Sequence, residues 1–404
     1  MLKIAIIKEN KQPADKRAPL TPTNCSFLLQ KYANQIEIWV ESSGDRIFTD
    51  EEYKNAGCII GQEVSNCDIL YGVKEVPLEF LIPNKTYFFF SHTIKKQSSN
   101  HRMFQAMIEK DITLIDYEKL MENDTRILGF GYHAGIVGAY NGLLTYGKKS
   151  DLFFLKPAHS HNNYQELVET LQSVDFPAMQ IVLTGGGRVA KGALQLLHDA
   201  GIEQVDKEQY LTEKGKAQFV HLKSEDIYAR KDKKPYNRNH FHQNHVAYEV
   251  NFEAFYENTD LMINGIFWVQ DMPSFFNKAD TAKPNFNIKV IADISCDVDG
   301  SIPITYQATT IAKPVIGWDK INLKPCEPYS KNSVDIMAVS NLPCELPKDA
   351  SELFGQDLVT KVFPEIFKAE SSILEGATIL KEGQLTEKYN YLEQYANSDL
   401  IEHK

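Results

Sequence analysis

The chain has little of what would mark it as secreted, membrane-bound or nucleic-acid-binding. Its six cysteines, Cys25, Cys58, Cys67, Cys296, Cys326 and Cys344, form no CxxC or similar pair, so reduced buried thiols are expected. No membrane-length apolar run, internal repeat or low-complexity linker is apparent. The opening residues Met1-Leu2-Lys3-Ile4-Ala5-Ile6-Ile7 lead straight into a strand and do not read as a signal peptide, which predicts a cytoplasmic protein. Cations are in deficit, with 43 Lys+Arg against 54 Asp+Glu and a net charge of -11. Such a chain repels nucleic acid and anionic membrane, so an anionic ligand must be held by a local cluster of positive residues.

What is present suits an enzyme. A length of 404 residues allows two or three domains, and 43% hydrophobic residues are enough for real cores. Strand-like runs at 3–7, 36–40, 69–72, 87–90 and 113–116 alternate with helical segments such as 24–32, the rhythm of a parallel sheet covered by helices. Further strands are predicted at 219–222, 261–264, 290–293 and 336–339. Asp349 or Ser351 is expected to cap a helix after Pro347. The C-terminal helices have no fold of their own and are expected to pack on the first domain, and the polar tract 230–244 reads as a loop or elaboration.

The most informative stretch runs from Met179 to Ala193. An apolar strand enters Gly185-Gly186-Gly187-Arg188-Val189-Ala190, a GxGxxA turn, and an amphipathic helix through Leu194, Leu196 and Leu197 follows. Glycines there let a pyrophosphate approach backbone N–H groups, and the helix N-terminus supplies a positive dipole end. After the next strand come Glu225 and Asp226, either of which can hold a ribose hydroxyl. The alternative is a glycine-rich turn with no ligand.

Chemistry is expected elsewhere. Lys74 and His92 each follow an apolar strand, where open α/β sheets place ligand groups. A desolvated lysine loses charge readily and a histidine titrates near neutrality, so the pair suits proton transfer; a solvated lysine and a structural histidine are the bland alternatives. Glu75 would oppose depression of the Lys74 pKa and is expected to turn away. Arg17, in Lys16-Arg17-Ala18-Pro19, offers a bidentate fork for a carboxylate. The glycines in Gly129-Phe130-Gly131-Tyr132-His133-Ala134-Gly135 are read as permitting close approach to a ligand, with His133 structural. His240, His242 and His245 lack the carboxylate or cysteine complement of a metal site, so no metal is expected.

These motifs resemble those of the lysine-forming saccharopine dehydrogenases, within the wider group of alanine dehydrogenase and the nicotinamide nucleotide transhydrogenase domain. The resemblance rests on the segments 16–22, 73–75, 91–92, 130–135, 292–297 and 341–354, in order along the chain. It implies NAD-linked oxidation of saccharopine to lysine and 2-oxoglutarate through an imine, with Lys74 accepting the amine proton and His92 exchanging protons with water and the carbinolamine. It further implies that Arg17, Gln97 and Phe130 contact substrate, and that Arg126, Gly185, Gly187, Arg188, Asp293 and Ser295 lie around the cofactor or the cleft. An arginine at the glycine turn suits a 2′-phosphate, but Glu225 and Asp226 would repel one, which favours NAD over NADP.

The expected architecture is α/β, with two Rossmann-like doubly wound domains and a cleft between them. A discontinuous substrate domain at 1–140 plus 330–404 brackets an NAD-binding domain at 141–329. The expected partners are an amino acid and a 2-oxo acid, with a homo-oligomer left open. The competing readings are an alanine or other opine dehydrogenase and a non-catalytic NAD(H)-binding regulator.

Overall fold

Apolar strands alternating with amphipathic helices build two large sheets. The computed structural model describes residues 1–398, and the chain divides into two units, Met1–Gly129 with the chain from Pro347 on, and Phe130–Leu346.

In the first unit six strands, β1 (Leu2–Ile6), β2 (Ile36–Glu41), β3 (Ile59–Gly61), β4 (Ile69–Tyr71), β5 (Thr86–Phe89) and β6 (Thr113–Asp116), run parallel in the order 3-2-1-4-5-6. Central parallel strands bury both faces, which is why Ile69-Leu70-Tyr71 and Tyr87-Phe88-Phe89 are unbroken apolar runs. Strand order reverses between β1 and β4, and the chain beyond their carboxyl ends leaves in opposite senses, as at the ligand crevice of doubly wound sheets.

Two short antiparallel strands that the sequence reading missed, Thr378–Lys381 and Gln384–Leu385, extend this sheet beyond β6. The C-terminal segment thus completes the first sheet as well as packing on it. The helix after the second unit spans Pro347–Asp357, so Asp349 and Ser351 lie within it and are not its caps. Proline is tolerated in the first turn, which moves the start upstream. Ser351 Oγ instead donates to the Pro347 carbonyl at 2.6 Å and accepts from Ala18 N at 2.9 Å.

In the second unit the strand Gln180–Thr184 lies between Gln218–Leu222 and Leu261–Asn264, and the parallel array continues through Val290–Asp293 to Ser333–Met337. Ile181 and Leu183 enter one core with Leu196 and Leu197, while Val182 enters the core on the other face with Phe252 and Met262. The unit is wider than 141–329, because a cut at 140 splits the helix Gly131–Ser150 and one at 329 strips Ser333–Met337 from the sheet that binds it. The polar tract is an ordered elaboration: the ribbon of Tyr228–Arg230 with Tyr248–Val250 carries the helix Arg238–Gln243, whose Phe241 packs on Tyr228 and Tyr248.

Candidate active site

The first unit gathers ionisable side chains where β1, β4 and β5 end. Glu9, Lys11, Asp15 and Arg17 follow β1, Lys74 and Glu75 follow β4, and His92 follows β5. Past Tyr71 the pairing with β1 ends while the backbone stays bonded to the β5 side, Gly72 N to the Phe88 carbonyl at 2.9 Å and Phe90 N to the Val73 carbonyl at 3.1 Å. Val73 N and Lys74 N donate to the two oxygens of Glu9 at 2.7 and 2.9 Å. Burial and the adjacent Asp15 raise the Glu9 pKa to about 7, against the hydrogen bonds from the two amides.

Lys74 is half-buried. Burial first, and then the Arg17 charge, press its amine below the ordinary lysine range, with Glu75 opposing them. Arg17 is 3% exposed and forked onto Asp15, with Nε to Oδ1 at 3.0 Å and Nη2 to Oδ2 at 2.6 Å. Its bidentate geometry is therefore taken up by a carboxylate of the chain itself.

Glu75 does not turn away from the site. One carboxylate oxygen is hydrogen-bonded to His92 Nδ1 and the other accepts from Lys11 Nζ. Burial alone would raise the Glu75 carboxyl, but the hydrogen bonds from His92 and Lys11 prevail and hold it well below the usual carboxylate range. The expectation failed because it weighed Glu75 only against Lys74, whereas the histidine from the next strand supplies a stronger partner. His92 itself has φ 53°, a left-handed conformation in which histidine is over-represented, and Ser91 beside it is tied to the Asp116 carboxylate. The ring is held at both backbone and Nδ1, leaving Nε2 as its other proton-transfer atom.

Other candidates are placed differently. Gln97 is exposed, its side-chain oxygen accepting from Asn100 at 3.4 Å and its carbonyl from the Tyr395 hydroxyl at 2.6 Å. Arg126 lies on a two-residue strand and pairs with Glu118 at 3.1 Å, an acid also approached by Lys95 at 3.5 Å. Phe130 is the residue before the helix Gly131–Ser150 and belongs to the second unit. Sequence reasoning missed Glu9, Lys11 and Asp15; the available signal was an acid and a cation just past the first strand of a reversing sheet.

In the second unit Gly185 has φ +112°, and a Cβ there would lie 2.5 Å from the Gly265 carbonyl oxygen. Glycine is required by both conformation and space. At Gly186 and Gly187 an added Cβ meets nothing within 4 Å, so the turn presents bare backbone ahead of the helix Arg188–Asp199. That open cradle at a helix N-terminus fits a dinucleotide pyrophosphate, and Arg188 is the first residue of the helix. His221 Nε2 is bonded to the Gly185 carbonyl at 2.6 Å and braces the turn from the next strand. Asp226 is engaged by Lys207 Nζ at 2.5 Å and Lys223 N at 2.9 Å, while Glu225 is exposed.

A buried polar chain crosses the ends of the central strands: Thr184 donates to Asn264 at 2.9 Å, and Asn264 to Asp293 at 2.9 Å. Asp293 also accepts from Ser295 at 2.7 Å and Thr305 at 2.6 Å. Burial raises its pKa against those bonds. Asp293 and Ser295 thus shape the strand ends from within. Gly135 serves packing: a Cβ on it would be 1.9 Å from the Val189 carbonyl oxygen, and one on Gly192 1.9 Å from that of Tyr132. Two helices touch backbone to backbone there, which corrects the reading of Gly135 as a ligand-approach residue. His133 in the same helix is buried, and burial lowers its pKa to about 4.

Among the described residues no group of three or more His, Cys, Asp or Glu side chains is placed to hold a metal. Among the same residues no helix is long and apolar enough to cross a membrane.

Residues 5–137 match the family model described as alanine dehydrogenase/PNT, N-terminal domain. The chain is 27% identical to an alpha-aminoadipic semialdehyde synthase of Rattus norvegicus over 98% of its own length and 48% of the relative's; it spans about half the length of such relatives. It is also 27% identical to the saccharopine dehydrogenase [NAD(+), L-lysine-forming] of Emericella nidulans, over 87% of this chain and 89% of that one. A solved L-alanine dehydrogenase superposes with a TM-score of 0.63 at 14% identity, covering 98% of this chain and 99% of that one, which shows the shared fold. Along most of its length the chain is similar to lysine-forming saccharopine dehydrogenases, with the alanine dehydrogenase/PNT N-terminal pattern in its first third.

Proposed function

We propose that the chain is an NAD-dependent oxidoreductase of the saccharopine dehydrogenase type, converting saccharopine, NAD and water to lysine, 2-oxoglutarate and NADH through an imine. The observation that carries this reading is a lysine amine whose pKa is lowered by burial and by Arg17 and raised by Glu75, the same carboxylate that orients His92, at the strand ends of a reversing parallel sheet. A binding-only protein has no need of that pairing. When bound, NAD supplies the hydride acceptor.

Lys74 takes the proton from the substrate's secondary amine, for which a free base near neutral pH is required. His92, with Nδ1 fixed by Glu75, exchanges protons through Nε2 with the attacking water and the carbinolamine as the C–N bond breaks. Arg17 keeps the Lys74 amine poised, and meets a substrate carboxylate when Asp15 yields one of its two bonds. Gln97 and Phe130 are assigned to substrate. Gly185 and Gly187 cradle the pyrophosphate, Arg188 adds a cation beside it, and Arg126, Asp293 and Ser295 are assigned to the surroundings of the cofactor. With Asp226 committed to Lys207, Glu225 is the acid assigned to the ribose.

Steady-state assays with NADH and NADPH, using lysine plus 2-oxoglutarate, pyruvate plus ammonia, and a panel of other oxo acids, test this reading. Turnover with lysine and 2-oxoglutarate supports it. Turnover only with pyruvate and ammonia assigns alanine dehydrogenase activity, and NADH binding without turnover assigns a regulator.

A further inference from the structure

Glu9 stands apart from the groups used so far. Its carboxylate spans two successive amides, Val73 N and Lys74 N, just past the point where the pairing of β4 with β1 ends. A buried amide without an acceptor is costly, so this corner of the chain depends on Glu9 for its conformation. The next covalent unit carries the Lys74 amine. We propose that Glu9 is a positioning residue that holds the Lys74 amine in its desolvated place near Arg17, and that it acts on the amine through the backbone more than through its own charge.

The charged and titratable groups around the pair separate these two routes. Arg17, Glu75, Lys11 and Asp15 act on Lys74, and Asp15, Arg17 and Tyr117 interact with Glu9. A carboxylate acting only by charge stabilises the ammonium form, so removing it lowers the lysine pKa. A carboxylate acting as a clamp does the reverse: once the corner relaxes, the amine regains water and its pKa climbs toward the ordinary lysine value. Glu9→Gln removes the charge and turns an NH₂ toward one of the two amides. Glu9→Asp keeps the charge but, one methylene shorter, cannot span both amides.

The proposal deepens the function assigned above, since Lys74 is the base in that reading, and its test reads the amine directly. Full-length wild type and both variants are pulse-labelled with acetic anhydride from pH 7.5 to 11, and Lys74 acetylation is followed by mass spectrometry with exposed Lys233 as internal reference. Melting transitions check that each variant is folded. The expected result is that the Lys74 labelling midpoint rises by at least about half a unit in both variants. A midpoint that falls in Glu9→Gln, or stays unchanged in Glu9→Asp, overturns the proposal. Absence of turnover on any amine substrate counts against the assigned function and leaves the labelling result standing.

Discussion

His92 and Glu75 come from the ends of neighbouring strands and share a hydrogen bond from imidazole Nδ1 to carboxylate. The bond sets the ring's orientation and leaves Nε2 as the atom that exchanges protons. It also divides Glu75 between two roles, because the same carboxylate raises the affinity of the Lys74 amine for its proton.

Removing that carboxylate charge has a signed consequence. Glu75→Gln takes away a group that raises the Lys74 pKa, so Lys74 should lose its proton at lower pH and the acid limb of kcat/KM should move down. The weakened hold on His92 should lower kcat at the same time. A pH–rate profile of the variant checks both, and an acid limb moved upward would contradict the electrostatic assignment.

Lys74→Met and His92→Gln should each reduce turnover by about 10²–10⁴-fold, the ordinary contribution of a proton-transfer group. Neither residue belongs to the glycine-turn unit, so NADH affinity measured by fluorescence titration should change little. Near wild-type turnover in both variants would make the pair structural.

The glycine turn separates a folding glycine from a binding glycine. Gly187→Val places its side chain in open space and should abolish NADH binding while leaving the melting temperature nearly unchanged. Gly185→Ala meets the Gly265 carbonyl at 2.5 Å with φ at +112°, and should destabilise the protein by about 1–3 kcal/mol. Equal melting temperatures for the two variants would refute this distinction.

Two buried groups should tilt stability with pH in opposite senses. Glu9 holds its proton up to about 7 in the folded chain against 4.5 ordinarily, so folded protein binds more protons across that window and stability falls as pH rises through it, by on the order of 3 kcal/mol. His133 is held neutral down to about 4 against 6.5 ordinarily; the unfolded chain binds more protons there, and stability rises across that window by a similar amount. The stability of Glu9→Gln measured against wild type should therefore climb as pH rises from 4.5 to 7, and that of His133→Phe should decline as pH rises from 4 to 6.5, whatever the constant offset of each substitution. Thermal denaturation of both variants at pH 5 and 7.5 reads the two slopes, and parallel slopes would show that neither group is perturbed.

Asp293 accepts three side-chain hydrogen bonds in a fully buried position. Asp293→Leu leaves Asn264, Ser295 and Thr305 facing an apolar group, at about 1–3 kcal/mol for each donor left unsatisfied. A drop in melting temperature larger than that of Ser295→Ala is the expected outcome.

Local signals carried much of this protein. The runs at 113–116, 261–264 and 290–293 have the same limits as the strands in the structure, because apolar, β-branched and aromatic residues bounded by turn formers leave few other solutions. The glycine turn was equally legible, since φ at Gly185 and the bare backbone at Gly187 are properties of the residue type. Helix starts were less so: Asp349 and Ser351 are good caps by type, yet Ser351 is bound to Ala18, 333 positions earlier.

What only the tertiary structure decided is who pairs with whom. Glu75 follows Lys74 in sequence but bonds His92, and Glu9 reaches across to Val73 and Lys74, because parallel pairing of β1 with β4 and β4 with β5 aligns their carboxyl ends. Gly135 resembles a ligand-approach glycine, yet it meets Val189 because two helices cross there. Residue type sets what a side chain can bond and which backbone angles it tolerates. Partner, burial and hence pKa depend on distances between chain segments far apart in sequence, and those exist only once the sheets have formed.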